Sequence, residues 1–335
     1  MKKIIFLLSV IALTGCASNI EATKFAKRIK AKDLQKHLYT YASDEFEGRD
    51  TGEPGQKKAV EYLRNYYTKN KITAAKGTEN YFQPISSAWL TNASRRGSLK
   101  DSENVLAFIE GSEEPEEIIV ISAHLDHVGT ENGEIYNGAD DDGSGTVAIL
   151  EIAEAFKKAT KKGNGPKRSI LFLHVTGEEK GLLGSRYYTE HPIFPLANTV
   201  ANLNIDMIGR VDKFHQTDSN YVYLIGSDKL STELHEISEN INKKYANINL
   251  DYKYNDDNDP NRFYYRSDHY NFAKHNIPVI FYFNGTHADY HKPTDTPDKI
   301  NYELLEKRAR LIFHTAWEIA NRKERIIVDK AVTKK

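Results

Sequence analysis

The residues able to do chemistry concentrate in one stretch, His124 to Gly145, which reads HLDHVGTENGEIYNGADDDGSG. His124 and Asp126 follow directly on the run Ile118 to Ala123 (IIVISA), which has the length and β-branched content of a buried parallel strand. An HxD pair at a strand end offers an imidazole and, two residues on, a carboxylate able to hydrogen-bond and orient it, as metal-ligating histidines require. Asp140, Asp141 and Asp142 then stand in a row before Gly143-Ser144-Gly145 and a helical pattern. Three adjacent carboxylates repel one another unless a cation or hydrogen bonds hold them together. Alone, such a run reads as a solvated acidic turn capping a helix. Behind a strand-end HxD it reads as metal chemistry.

The elements that must position these groups alternate along the chain. Asp33 is expected to cap a helix carrying Leu34, Leu38 and Tyr41, and a second helix runs from about Gly55 to Asn70 with Ala59, Val60, Leu63, Tyr66 and Tyr67 on one face. Between them, residues 43–49 read as a polar loop. Strands are expected over 81–85, 104–109, 169–175, 200–205, 221–225 and 279–283, and further helices over 146–159, 230–245 and 302–321. Strands alternating with helices imply an α/β three-layer sandwich, a mostly parallel mixed central sheet with helices on both faces. Ligands of such sheets bind outside the carboxyl ends of the strands. Four polar clusters fall there: His124 with Asp126, Glu178 with Glu179, Asp206, and a loop holding His287, Asp289 and His291.

The donor types select the metal. Two histidines with Asp and Glu, and no thiolate, fit zinc, with manganese or cobalt open on ligand type alone. Five candidate ligands suffice for two ions if one carboxylate bridges them, as in paired sites with metals about 3.5–4 Å apart. One further carboxylate beside a ligand is then free to act as general base.

The stretches HLD at 124, NGADDDGSG at 137, GEEKGLLGS at 177, NIDMIG at 204, RSDHYNFAKHNIPV at 266 and HKPTDT at 291 resemble, in order, those of the di-zinc exopeptidases of clan MH, peptidase family M-twenty-eight. That family holds bacterial leucyl-type aminopeptidases, glutamate carboxypeptidase and the glutaminyl cyclases. The resemblance covers about Ser43 to Asn321 and implies the zinc-exopeptidase, phosphorylase-like fold and two Zn2+. Carried over by position, it implies His124 and Asp206 as ligands of one zinc, Glu179 and His291 as ligands of the other, and Asp141 as the bridge. Asp126 matches the partner of His124, Glu178 the general base, and Tyr264 the tyrosine that polarises the scissile carbonyl. His127, His269 and His287 match no ligand position and are read as pocket lining or as supports behind the ligands. The implied function is a peptide hydrolase, foremost an aminopeptidase. A carboxypeptidase or dipeptidase, a glutaminyl-cyclase-like acyltransferase and a non-catalytic envelope lipoprotein are the alternatives.

The ends and the charge balance complete the reading. Lys2-Lys3, an apolar core from Ile4 to Leu13, and Leu13-Thr14-Gly15-Cys16 resemble a bacterial lipoprotein signal. This divides the chain into a signal peptide over 1–15, a lipidated start and tether over 16–30, one domain over 31–325 and a tail over 326–335. Cys16 is the only cysteine, so no disulfide can form within the chain. Acyl chains on it would hold the domain at a membrane of the cell envelope, periplasm-facing or on the outer membrane. With 46 basic and 47 acidic residues there is no nucleic-acid footprint. Peptides are the expected partners, and the segment 212–261 is expected to shape the mouth of the pocket.

Overall fold

The computed structural model of the chain describes residues 22–330, apart from 79 and 95–96. In chain order its elements are α1 (Ala31–Tyr41), α2 (Pro54–Asn70), β1 (Thr73–Ala74), β2 (Phe82–Ile85), α3 (Ser87–Ala93), β3 (Ser102–Ile109) and β4 (Glu114–His124). A small hairpin follows, β5 (Gly129–Glu131) and β6 (Glu134–Tyr136), then α4 (Gly145–Lys161), β7 (Arg168–Val175), α5 (Leu183–Glu190) and β8 (Thr199–Ile205). The rest is β9 (Tyr221–Ile225), α6 (Thr232–Ile241), β10 (Asn249–Asp251), α7 (His269–Ala273), β11 (Val279–Phe283) and α8 (Tyr302–Asn321).

The strands form one sheet in the order β1-β3-β7-β4-β8-β11-β9-β10, with β2 also on β3. Its centre, β7, β4, β8 and β11, is parallel. β3 and β9 flank that centre antiparallel. The central strands read as continuous apolar runs because both their faces are covered. Alternate residues show it: Ile119, Ile121 and Ala123 of β4, with Ile170 and Phe172 of β7, pack with α1, α2, α4 and α8. Ile118, Val120, Leu171 and Leu173 face the other way, toward Tyr188 of α5 and Phe272 of α7. This is the expected three-layer arrangement.

Several expected boundaries are corrected. The domain begins before residue 31: residues 22–26 are helical, and Ala22, Phe25, Ala26 and Ile29 are buried. Phe25 stacks on Trp317 at 6.0 Å, and Arg310 donates to the carbonyls of Ala26 and Ile29. From residue 22, the expected tether is therefore part of the core against α8. Residues 326–330 of the expected tail also pack: Ile326 is buried, and the Lys330 amide donates to the Leu230 carbonyl. Asp33 does not cap α1; its N-cap is Lys30, and the Ala31 amide donates to Glu306 instead. Cys16 and the expected signal peptide lie outside the described residues.

Glu151 of α4 yields a stability prediction. It is 5% exposed, and its carboxylate lies 3.6 Å from His37 Nε2. Burial, reinforced by Glu154 and Asp33, pushes its carboxyl up to about 8. The unfolded value is about 4.3, so the folded chain holds this proton more tightly. The resulting stabilisation is complete below about pH 4.3 and is lost as pH rises through 8. Glu151→Gln keeps the shape and cannot ionise. Its melting temperature should nearly match wild type at pH 5 and exceed it by a few degrees at pH 9, roughly 1–3 kcal/mol after allowance for relaxation. An equal difference at both pH values would refute the buried-carboxyl reading.

Candidate metal centre and cleft

The strand ends bring the candidates together. His124 closes β4, Glu178 and Glu179 follow β7, Asp206 follows β8, His291 lies on the loop after β11, and Asp141 sits in the turn entering α4. His124 Nε2 is 3.1 Å from Asp141 Oδ1 and 3.7 Å from Asp206 Oδ1. The other oxygen of the same carboxylate, Asp141 Oδ2, is 3.0 Å from His291 Nε2, which is 3.1 Å from Glu179 Oε1. Asp141 thus offers one oxygen to each of two donor groups. His127 belongs to the second group, because its Nδ1 lies 3.1 Å from Glu179 Oε1 and 3.8 Å from Asp141 Oδ2. Read from sequence as pocket lining or a support behind the ligands, it lies among the candidate donors.

These atoms fit divalent cations better than they fit one another. Among the described residues, His124, Asp141 and Asp206 form one convergent group, and His127, Asp141 and Glu179 another. His124 Nε2, His127 Nδ1, Asp141 Oδ2 and Glu179 Oε1 are buried, yet none makes a hydrogen bond. Buried polar atoms left so carry a large desolvation cost unless something else satisfies them. Nitrogen and oxygen donors at about 2.0–2.1 Å from one tetrahedral zinc lie roughly 3.3 Å apart, within the spread found here. The His124 Nδ1–H, 3.0 Å from the Asp126 carbonyl, leaves Nε2 free to ligate.

The neighbouring glutamates differ electrostatically. Burial lifts the Glu178 carboxyl well above the usual carboxylate range. Burial would raise Glu179 too, but contacts with His127 and His291 outweigh it and hold that carboxyl near 2. In this arrangement the imidazoles stand where a cation's charge would act. Two carboxyls pushed apart in this way suit different tasks, a proton shuttle and a permanently ionised ligand.

The support for the site is mostly backbone-directed. Asp142 accepts from the amides of His124, Gly145 and Met207, and Asp140 from that of Gly209, so only the middle residue of the triplet faces the donors. Asp295 accepts from the amides of Asp140 and Asp141. Ser267 donates to Asp206 Oδ2 at 2.6 Å. The fully buried Arg49 donates to the carbonyls of Tyr41, Leu125, Asn137 and Gly138, joining the HLD strand end to the acidic turn. The loop expected at 43–49 is therefore a clamp. Sequence reasoning missed Arg49 because its partners are carbonyls, which leave no side-chain pattern.

The structure keeps Asp126 beside His124 and turns Tyr264 away from the cleft. The Asp126 carboxylate lies 3.8 Å from His124 Nδ1 and also accepts from Thr51 Oγ1 and the Glu178 amide. It therefore positions the loop carrying Glu178. The Tyr264 ring lies over Gly226 and meets Tyr265, His269 and Tyr270 edge-on, and it lines neither of the two cavities beside the donors. Tyr290 lines both, with its ring stacked on His291 at 3.9 Å, and burial keeps its hydroxyl protonated as a donor. His287 is tied to Asp140 at 3.1 Å, and His269 stacks on Phe281. Neither of these two cavities is lined by a residue of 212–261, whose Tyr221 and Tyr223 lie in β9, with Tyr223 packed on Phe283.

Comparison with known proteins identifies relatives in sequence and in fold. The sequence profile described as Peptidase family M28 matches residues 104–316, more than half of the chain. Leupeptin-inactivating enzyme 1 of Streptomyces exfoliatus is 28% identical over 292 residues, 86% of this chain and 56% of that protein. Other curated relatives are longer still, and the chain spans as little as 12% of one. The Legionella pneumophila LapA aminopeptidase superposes with a TM-score of 0.69 at 20% identity, covering 91% of this chain and 76% of LapA. BSAP, a zinc aminopeptidase from Bacillus subtilis, gives 0.64 at 16% identity, covering 90% of this chain and 98% of BSAP. At such identities the structural likeness is one of fold.

Proposed function

The chain belongs to peptidase family M28, and from that premise we propose that it is a zinc-dependent exopeptidase, an aminopeptidase, holding two Zn2+. The observation that carries this is Asp141, with one oxygen facing His124 and Asp206 and the other facing His291 and Glu179, while the Glu178 carboxyl stays outside both groups. Bound there, zinc supplies charge stabilisation and lowers the pKa of a coordinated water to about 7.

The protein groups do the rest. Glu178 lines the cleft and takes a proton from the attacking water as the peptide carbonyl is attacked. It returns that proton to the leaving nitrogen when the C–N bond breaks. Tyr290 donates toward the developing oxyanion. Met207, Phe263, Phe281 and Phe283 give the recess an apolar wall for a substrate side chain.

Leucine p-nitroanilide and leucyl peptides should be hydrolysed by the purified zinc-loaded protein, and their N-acetylated forms should not. A chelator should remove activity and zinc should restore it. Full turnover with no bound metal, or equal cleavage of acetylated substrates, would sink the proposal.

We also infer an envelope lipoprotein, on the strength of Leu13-Thr14-Gly15-Cys16. Among the described residues no helix is long and apolar enough to cross a membrane, so the acyl chains on Cys16 would be the anchor. Wild type should sediment with membranes and Cys16→Ala should not be lipidated. A mature N-terminus at Met1 would refute the anchor.

A further inference from the structure

Two cavities open beside the donor groups and share Glu178, Arg266, Tyr290 and His291. One is a recess of about 30 Å³ with the apolar wall described above. The other is wider, about 250 Å³, and includes Glu179, Gly181 and Leu182. The carboxylates lining the two are Asp141, Glu178, Glu179 and Asp206, and Arg266 is the one lining residue with a permanent positive charge.

Arg266 is exposed, and its guanidinium rests on the Phe263 ring at 4.8 Å. Among the described residues no carboxylate pairs with it. Other arginines of the chain use their donors: Arg49 and Arg308 on carbonyls, Arg210 on Asp289. The backbone at Arg266 is fixed. Its amide donates to the Phe263 carbonyl at 3.0 Å, and the next residue, Ser267, is hydrogen-bonded to Asp206. A planar fork of N–H donors, stacked on a ring and facing a cleft of acids, is arranged to take a carboxylate from outside the protein.

We propose that Arg266 makes the wider cavity a carboxylate-binding subsite for the residue on the leaving side of the scissile bond. This rests on the exopeptidase reading. Glu178 and Tyr290 border both cavities, so the bond they act on lies between them. With the N-terminal side chain against the apolar wall, the leaving residue falls in the wider cavity. In a dipeptide its free α-carboxylate is one residue further on, about 3.8 Å in Cα spacing. An acidic side chain on that residue would present the same chemistry.

Hydrolysis of leucylglycine, leucylglycinamide and leucylaspartic acid α-amide, whose side-chain carboxylate is free, by the zinc-loaded chain tests this. Wild type should prefer a carboxylate-bearing substrate over leucylglycinamide by roughly ten- to hundredfold in kcat/KM, the range of one charge-assisted hydrogen-bonded pair. Arg266→Ala should erase that ratio, and Arg266→Lys, which keeps the charge but not the fork, should retain part of it. A preference confined to leucylglycine assigns the subsite to a terminal carboxylate, and one shared by the aspartic α-amide extends it to acidic side chains. Equal efficiency on all three in wild type, or an Arg266→Ala change that is the same on all three, overturns the subsite while leaving the peptidase reading intact. Absence of hydrolysis of every substrate by wild type overturns both.

Discussion

Glu178→Gln is expected to keep the metals of the wild type and lose at least about a hundredfold in turnover, because a positioned general base is worth roughly 10²–10⁴-fold in rate. The variant keeps the shape of the side chain and the amide that donates to Asp126. It removes only the ability to accept a proton. KM should change little, since the group acts on the reacting bond and not on uniform binding. Glu179→Gln should behave differently: its oxygen sits 3.1 Å from both His127 Nδ1 and His291 Nε2 inside the donor group. Metal content should fall first, and excess zinc should restore part of the activity. Adjacent residues of one sequence motif would then separate by assay, as they already separate by the opposite directions of their pKa shifts. Loss of metal from Glu178→Gln with retention by Glu179→Gln would reverse the roles. No effect of either on hydrolysis would remove the peptidase reading altogether.

How much of this was legible in the sequence depended on whether a residue's task shows in its own surroundings along the chain. The clusters holding His124, Asp141, Glu179, Asp206 and His291 stood out because they follow apolar strands or a Gly-bounded turn, and the end of a parallel strand is where such sheets bind ligands; which member of each cluster ligates came from the resemblance to the family's motifs. His127 lies three residues from His124 and joins the other donor group, which only the bend after β4 decides. Tyr264 and Tyr290 are both near motif residues. The former is carried away by its fit over Gly226, a tertiary contact without a sequence period. Short elements such as β5, β6 and β10 span three residues each, too few for any hydrophobic periodicity to register. The early entry of the chain at residue 22 was hidden for the same reason: Phe25 and Ile29 bury a stripe too brief to distinguish from a tether.

The triplet of aspartates supports the other large prediction. Asp142 spends both oxygens on backbone amides, and Asp140 spends one on the Gly209 amide and the other on His287, so substituting either loosens the turn. Asp141 accepts no hydrogen bond through Oδ2 and reaches a different histidine with each oxygen. Removing it takes a donor from both groups at once, whereas removing His124 takes one from a single group. After dialysis against a weak chelator, metal analysis should find two ions per wild-type chain, about one in His124→Ala and few or none in Asp141→Ala. Even loss of an outer partner of a ligand costs roughly 10–100-fold in metal affinity, so loss of a shared ligand should exceed that at both positions. Asp141→Asn, which keeps the volume and one carbonyl oxygen, should fall between wild type and Asp141→Ala. Circular dichroism and melting of the variants, taken with zinc and without, separate lost binding from lost fold. Wild-type metal content in a folded Asp141→Ala chain would show that the two groups share no carboxylate, and selective loss of one ion would place Asp141 in a single group.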